Sequence, residues 1–160
     1  MFDNFGPYLA VLFTAMTPIG ECRAAIPLAL LHYDMNIFVS YIISVIGNMV
    51  PAVIIVFALE PISRFLMKRS KLANRFFNWL FDRTRRKYSK KFKKYSGYAL
   101  IGFVGIPLPV TGAWTGSLIS FVFGIPPKKA VLHILYGVLI SGVIVTTIVK
   151  TVGMVRFIIG

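Results

Sequence analysis

The chain of 160 residues is 57% hydrophobic and 14% charged, with a mean hydropathy of +0.77, whereas about a quarter of residues are charged in a soluble domain. That composition excludes an ordinary soluble globule and points to a membrane protein. The net charge of +13 does not argue for nucleic-acid binding, because it is confined: residues 64–94 hold 13 of the 18 basic residues and one acid, Asp82, while the rest of the chain holds 5 basic and 4 acidic residues.

Other classes fall away for simple reasons. One cysteine, Cys22, cannot form an intrachain disulfide, and His32 and His133 make no metal-ligand cluster, so no metal and no cofactor are expected. No glycine-rich stretch leads into Lys-Ser or Lys-Thr, so ATP-driven work is not expected. No nucleophile, base and orienting group converge in the sequence, and an enzyme is not expected either. Residues 1–4 carry no positive charge ahead of the first apolar run, so a cleaved signal peptide is not expected.

A membrane-spanning helix needs roughly 20 apolar residues to cross about 30 Å of hydrocarbon. In chain order, residues 5–33 fall short of this: a dozen apolar residues meet the break TPIGECRAAIP, Thr17 to Pro27, before hydrophobicity resumes at Leu28. Residues 36–59 meet it, apolar but for Ser40, Ser44 and Asn48. Residues 60–96 are the basic insert, and residues 97–125 are again a broken unit, interrupted by Pro107-Leu108-Pro109-Val110-Thr111-Gly112-Ala113-Trp114-Thr115-Gly116. Residues 130–149 form the second full span, and 151–160 a tail. Two half-length apolar segments around a Pro/Gly-rich break are the pattern of a re-entrant hairpin or a discontinuous helix.

The order repeats. Pro18 to Asn36 and Pro109 to Pro127 have the same 18-residue spacing, and Gly47 and Gly137 lie 90 apart in the two spans. The expected fold is therefore an all-α integral membrane protein, with two re-entrant helical hairpins and two spanning helices in inverted repeat (residues 5–59 and 97–150). The Lys/Arg bias places the insert in the cytoplasm of a multi-pass cell-membrane protein. Ile62, Phe65, Leu66, Ala73, Phe76, Phe77 and Leu80 follow helical spacing, with Arg69 the one charge inside the stripe, so the insert reads as a basic amphipathic helix on anionic lipid headgroups. Gly112 with Gly116, Gly137 with Ser141 and Gly142 with Thr146 are small-residue packing pairs that also permit a homodimer.

Candidate binding residues lie at the breaks. Glu21 and Arg23 fall near mid-bilayer, where an ionised group on a helix costs roughly 3 kcal/mol, so they need partners: each other, as an ion pair, or a polar cavity. In the cavity reading Arg23 attracts an anionic group and Glu21 binds a coupling proton or monovalent cation. The second break offers Thr111, expected as an N-cap, together with Gly112, Trp114 and Thr115; the alternative is a tightly packed turn. Asn48, beside Gly47 and before Pro51, either bonds across to a hairpin or contacts substrate.

The run Glu21, Arg23, Ala25, Ile26, Pro27, then Gly47-Asn48, Arg83-Thr84-Arg85, Ile106-Pro107-Leu108-Pro109 and Thr111-Gly112-Ala113-Trp114 with Gly116 resembles the putative small multidrug export protein family. The likeness covers nearly the whole chain. That resemblance implies a place in the DedA/VTT-like superfamily, whose shared architecture is two re-entrant hairpins in inverted repeat and some of whose members translocate lipids, polyprenyl phosphates included. Val110 stands where the family more often has glycine, and the second break lacks the arginines of DedA proteins, so a phosphate clamp is not carried over to it. The expectation is a secondary transporter or lipid translocase for an amphipathic anion, with a small-molecule multidrug exporter and a non-transporting membrane scaffold as alternatives.

Overall fold

A computed structural model describes residues 5–87, 90–108 and 111–159. Pro109 and Val110 of the second break lie outside those residues, as do the side chains of Leu80 and of the Arg83-Thr84-Arg85 run. Every regular element described is helical: α1 Gly6–Met16, α2 Glu21–Pro27 continuing as a π-helical turn Leu28–His32, α3 Ile37–Arg69, α4 Lys71–Lys87, α5 Lys90–Gly105, α6 Ala113–Val122 and α7 Pro127–Ile159.

Two helices, Ile37–Arg69 and Pro127–Gly153, are long and apolar enough to cross a membrane. Asn36 caps α3, its Oδ1 accepting from Phe38 N at 2.9 Å, and Pro127 opens α7 where a missing N–H costs nothing. Each exceeds its expected span. Nothing stops α3 at Leu59; it runs past Pro61 to Arg69, and α7 absorbs the expected tail to Ile159. By contrast α1, with 11 residues, and α6, with 10, are each only about 15 Å long at 1.5 Å per residue and cannot cross alone.

The single amphipathic helix expected in the insert is split. Ser70 adopts an extended conformation, ends α3 and accepts on its Oγ from Ala73 N at 3.3 Å, starting α4. Ile62, Phe65 and Leu66 therefore finish α3, whereas Ala73, Phe76 and Phe77 belong to α4. The misplaced Arg69 lies over the Phe65 ring at 5.1 Å, a cation–π contact that accommodates it in the stripe. Phe77 meets Phe121 of α6 edge to face, while Leu72, Phe76 and Trp79 remain exposed.

Polarity is arranged inside out. Along α3, Phe38, Ile42, Ile46, Val50, Ile54 and Phe57 face outward, and Ser40, Ser44 and Asn48 are buried. In water that would squander apolar burial; against lipid tails, packing and internal hydrogen bonds are what remain to hold helices together. The core is made by Ile26, Val45, Ala52, Val104, Ala113, Ile134 and Val138, with a second cluster of Val11, Ala15, Ala25 and Ala29. α3 and α7 pack together; α1 lies on α3 and α5 on α7, while α2 and α6 each touch both long helices. Small residues permit this. At Gly47 a side chain would drive into the Leu12 carbonyl and Ala15 of α1, and Val104 of α5 occupies the space at both Gly116 and Gly137. The small-residue faces of α6 and α7 are thus filled from within the chain.

Candidate functional site

The first break begins where Pro18 cannot continue a helix and disfavours it at Thr17, which turns extended. Thr17 then organises the turn: its Oγ1 accepts from Gly20 N at 3.0 Å and its carbonyl accepts from Glu21 N at 3.2 Å. Glu21 follows with φ +46°, a left-handed conformation that a side-chain-bearing residue adopts only at a cost of about 1–3 kcal/mol. The return on that strain is where the side chain goes.

The Glu21 carboxylate is buried and has two sets of partners. Oε2 accepts from Arg23 Nη2 at 2.9 Å, and Oε1 accepts from Trp114 N at 3.4 Å, with the Ala113 N–H also directed at it. It therefore sits on the N-terminus of α6, where unpaired N–H groups and the helix dipole favour negative charge. Gly112 makes the approach possible, because a methyl group there would overlap the carboxylate. In return the Trp114 indole donates to the carbonyl of Met16, the last residue of α1, at 3.2 Å. The acid of the first break caps the second half-helix, and the indole of the second break caps the first.

Four of the expected residues, Glu21, Arg23, Gly112 and Trp114, meet at this point. Thr111 does not: the N-cap of α6 is Gly112, and the Thr111 hydroxyl instead donates to Ile106 O at 2.6 Å and accepts from Leu108 N at 3.1 Å. A carboxylate from far along the chain takes the capping role, leaving the threonine to close its own loop. Thr115 lies on the first turn of α6, partly buried.

Asn48 is one layer deeper. Its Nδ2 donates to Cys22 Sγ at 3.3 Å, and Cys22 in turn lies 3.5 Å from Ser44 O, so the bond across to a hairpin is made through sulfur. Neither Cys22 nor Ser44 is among the candidates of the sequence analysis, although Ser40, Ser44 and Asn48 recur every four residues, the spacing of one helical face. The same holds for Ser117, whose Oγ donates to Ala113 O at 2.7 Å and lies 3.3 Å from Ala52 O, and for Tyr41, whose hydroxyl donates to Leu139 O at 3.0 Å. Among the described residues, the buried side-chain polar atoms left without a partner are Arg23 Nη1, Ser44 Oγ, Asn48 Oδ1 and His133 Nδ1. Each costs about 1–3 kcal/mol if nothing satisfies it. Three of the four belong to this region.

A family model described as putative small multi-drug export protein matches residues 21–144, a stretch that opens on Glu21 and includes both capping partners on α6. The chain belongs to this family. No curated protein and no solved structure matches it significantly. Membership agrees with the inside-out polarity and with the two long apolar helices: this is a membrane protein of an export family, and its central polar cluster ties the two breaks together.

Proposed function

We propose that this family member is a secondary transporter or lipid translocase that moves an amphipathic anion, such as a polyprenyl phosphate or phospholipid, with Glu21 as the coupling group. The observation that carries this reading is the Glu21 carboxylate held between Arg23 and the N-terminus of α6. A guanidinium and a helix N-terminus are the two standard elements of an anion site, and here an internal anion fills it. Protonating Glu21 removes that anion's charge and frees Arg23 and the Ala113 and Trp114 N–H groups for a phosphate. Deprotonation then returns the carboxylate and expels the substrate. A monovalent cation is the other coupling ion that such a cycle admits.

The architecture proposed with it is an inverted repeat of two re-entrant hairpins, α1–α2 and α5–α6, entering from opposite sides, with the basic segment cytoplasmic. Two features support it: the half-length helices, and a packing scheme in which α1 is to α3 as α5 is to α7. The same proposal carries the DedA/VTT-like placement. Choice of substrate rests on a cavity of about 220 Å³ between α5 and α6, lined by Leu100, Phe103, Ile119, Phe123 and Ile125 among others. Its apolar lining admits a hydrocarbon chain. The exposed Lys128 and Lys129 follow Ile125 closely and favour an anionic headgroup. Export of small amphipathic drugs is the second reading, favoured by the family's description.

In liposomes, wild-type protein is expected to move labelled polyprenyl phosphate or phospholipid faster under a pH gradient, and Glu21→Gln to keep the helical fold but lose the dependence on the gradient. Undiminished coupling in the variant excludes Glu21 as the coupling group. Flux of a cationic dye without flux of either lipid supports the multidrug reading, and no flux of any probe supports a scaffold.

A further inference from the structure

The exposed surface of α4 suits neither water nor hydrocarbon. Leu72, Phe76 and Trp79 follow the spacing i, i+4, i+7, so they share one face of the helix, and they are 82%, 55% and 53% exposed. Lys71 and Arg75 stand on the flank of that face and are exposed as well. The apolar stripe expected from the sequence runs through Ala73, Phe76 and Phe77, but Phe77 turns inward, edge to face with Phe121 of α6. The helix therefore has two apolar sides, one against the protein and one facing out. It does not cover the cavity: Ile119 and Phe123 line that space, and Phe121, two residues from each, lies on the opposite side of α6.

We propose that the outward face docks α4 on the anionic headgroups of the bilayer that holds the protein, with Leu72, Phe76 and Trp79 among the upper acyl chains and Lys71 and Arg75 reaching lipid phosphates. Two costs fix the helix at that depth. Residues 64–94 hold 13 basic residues against the single acid Asp82, and ionised side chains are expensive in hydrocarbon, so α4 stays out of the bilayer core. Three large apolar side chains side by side are equally misplaced in water, where such a patch marks a contact surface. The interface satisfies both: an indole lies at headgroup level, and Lys and Arg stems run along apolar surface while their charged ends reach the phosphates. The charge selects the occupant, since a second copy of the chain would bring the same positive charge against it. Through Phe77 and Phe121, α4 then joins the leaflet surface to α6, whose other end carries Glu21. The proposal rests on membrane residence alone, not on the transport reading.

Trp79 reports the docking in full-length protein placed in lipid nanodiscs, one copy to a disc, and the difference between wild type and Trp79→Phe isolates its emission from that of Trp114. In discs of phosphatidylcholine with about one third phosphatidylglycerol, the Trp79 emission is expected to shift to the blue and its quenching by acrylamide to fall about twofold relative to phosphatidylcholine alone. High salt is expected to reverse both changes. Lys71→Gln with Arg75→Gln alters only exposed positions and is expected to weaken docking, read as the ratio of shielded to exposed Trp79, roughly thirtyfold, from about 1 kcal/mol per basic residue. Leu72→Gln with Phe76→Gln is expected to abolish the blue shift. Equal quenching in anionic and neutral discs overturns the proposal, whether Trp79 is shielded in both or in neither, as does undiminished docking in the Lys71 and Arg75 variant. Shielding that requires two copies per disc assigns the face to a dimer and overturns it likewise.

Discussion

The two breaks are built from opposite materials. The first, Thr17 to Arg23, carries a carboxylate, a guanidinium and a strained backbone at Glu21; the second, Ile106 to Gly112 leading into α6, has Pro107, Thr111 and Gly112 among its described residues and no charge. Taken as two copies of one unit, they look unequal. Taken together they are complementary: the first break supplies the anion and the second supplies the vacant N–H groups and, at Gly112, the space to reach them. The two breaks are held together by the very groups that make them unlike.

The comparison breaks hardest at Gly112. In Gly112→Ala the added methyl overlaps the Glu21 carboxylate. The backbone conformation there tolerates alanine, so the whole effect is steric. Expelling the carboxylate separates a buried ion pair and uncaps α6 together. The expected loss is at the upper end of the about 3–5 kcal/mol typical of breaking a buried pair, read as a fall in folded, monodisperse protein and in its unfolding free energy in detergent. A variant as stable as wild type would mean that Glu21 has no fixed place on α6.

Next comes the charge balance inside the first break. Arg23→Gln leaves Glu21 with the α6 N–H groups as its only compensation, and about 3 kcal/mol of destabilisation is expected. The double variant Glu21→Gln with Arg23→Gln removes both charges and is expected to be at least 1 kcal/mol more stable than the sum of the single effects predicts. Strict additivity in the same unfolding assay would show that the two side chains do not act as a pair.

How far these arrangements were legible depends on their range along the chain. The two long helices and both breaks follow from hydropathy and from Pro18, Gly20, Pro107 and Gly112, all of them local signals. Helix ends were less legible: Leu59 and Val149 look like boundaries because hydropathy falls there, but falling hydropathy does not end a helix, and α3 continues through Pro61 until Ser70 turns extended. The cap of α6 was out of reach. Thr111 is the right residue type beside the helix, yet the group that caps it lies 93 residues from its bonding partner Trp114, and no local pattern encodes that distance. The polar stripe of Ser40, Ser44 and Asn48 was visible as spacing, but its meaning depends on which face of α3 is buried, and that is fixed by the helices packed on it, α1, α2, α6 and α7.

The smallest effect is the most specific test of reciprocity. Trp114 contributes to the central tie twice, through its backbone N–H to Glu21 and through its indole to Met16 O. Trp114→Phe keeps the backbone contact and most of the aromatic volume, and removes only the indole donor. Hydrogen bonds between membrane helices are worth about 0.6 kcal/mol on average, and that is the stability loss expected. The consequence for α1 is larger in proportion, because the Met16 carbonyl ends a short helix whose last acceptors have few other donors in reach. Amide hydrogen exchange is therefore expected to quicken at the last turn of α1, with α2 and the first turn of α6 unchanged. If protection falls equally around Glu21 and Trp114, the two caps act as one cooperative unit; if α1 alone loosens, they are separate bonds and Glu21 alone holds the second break to the first.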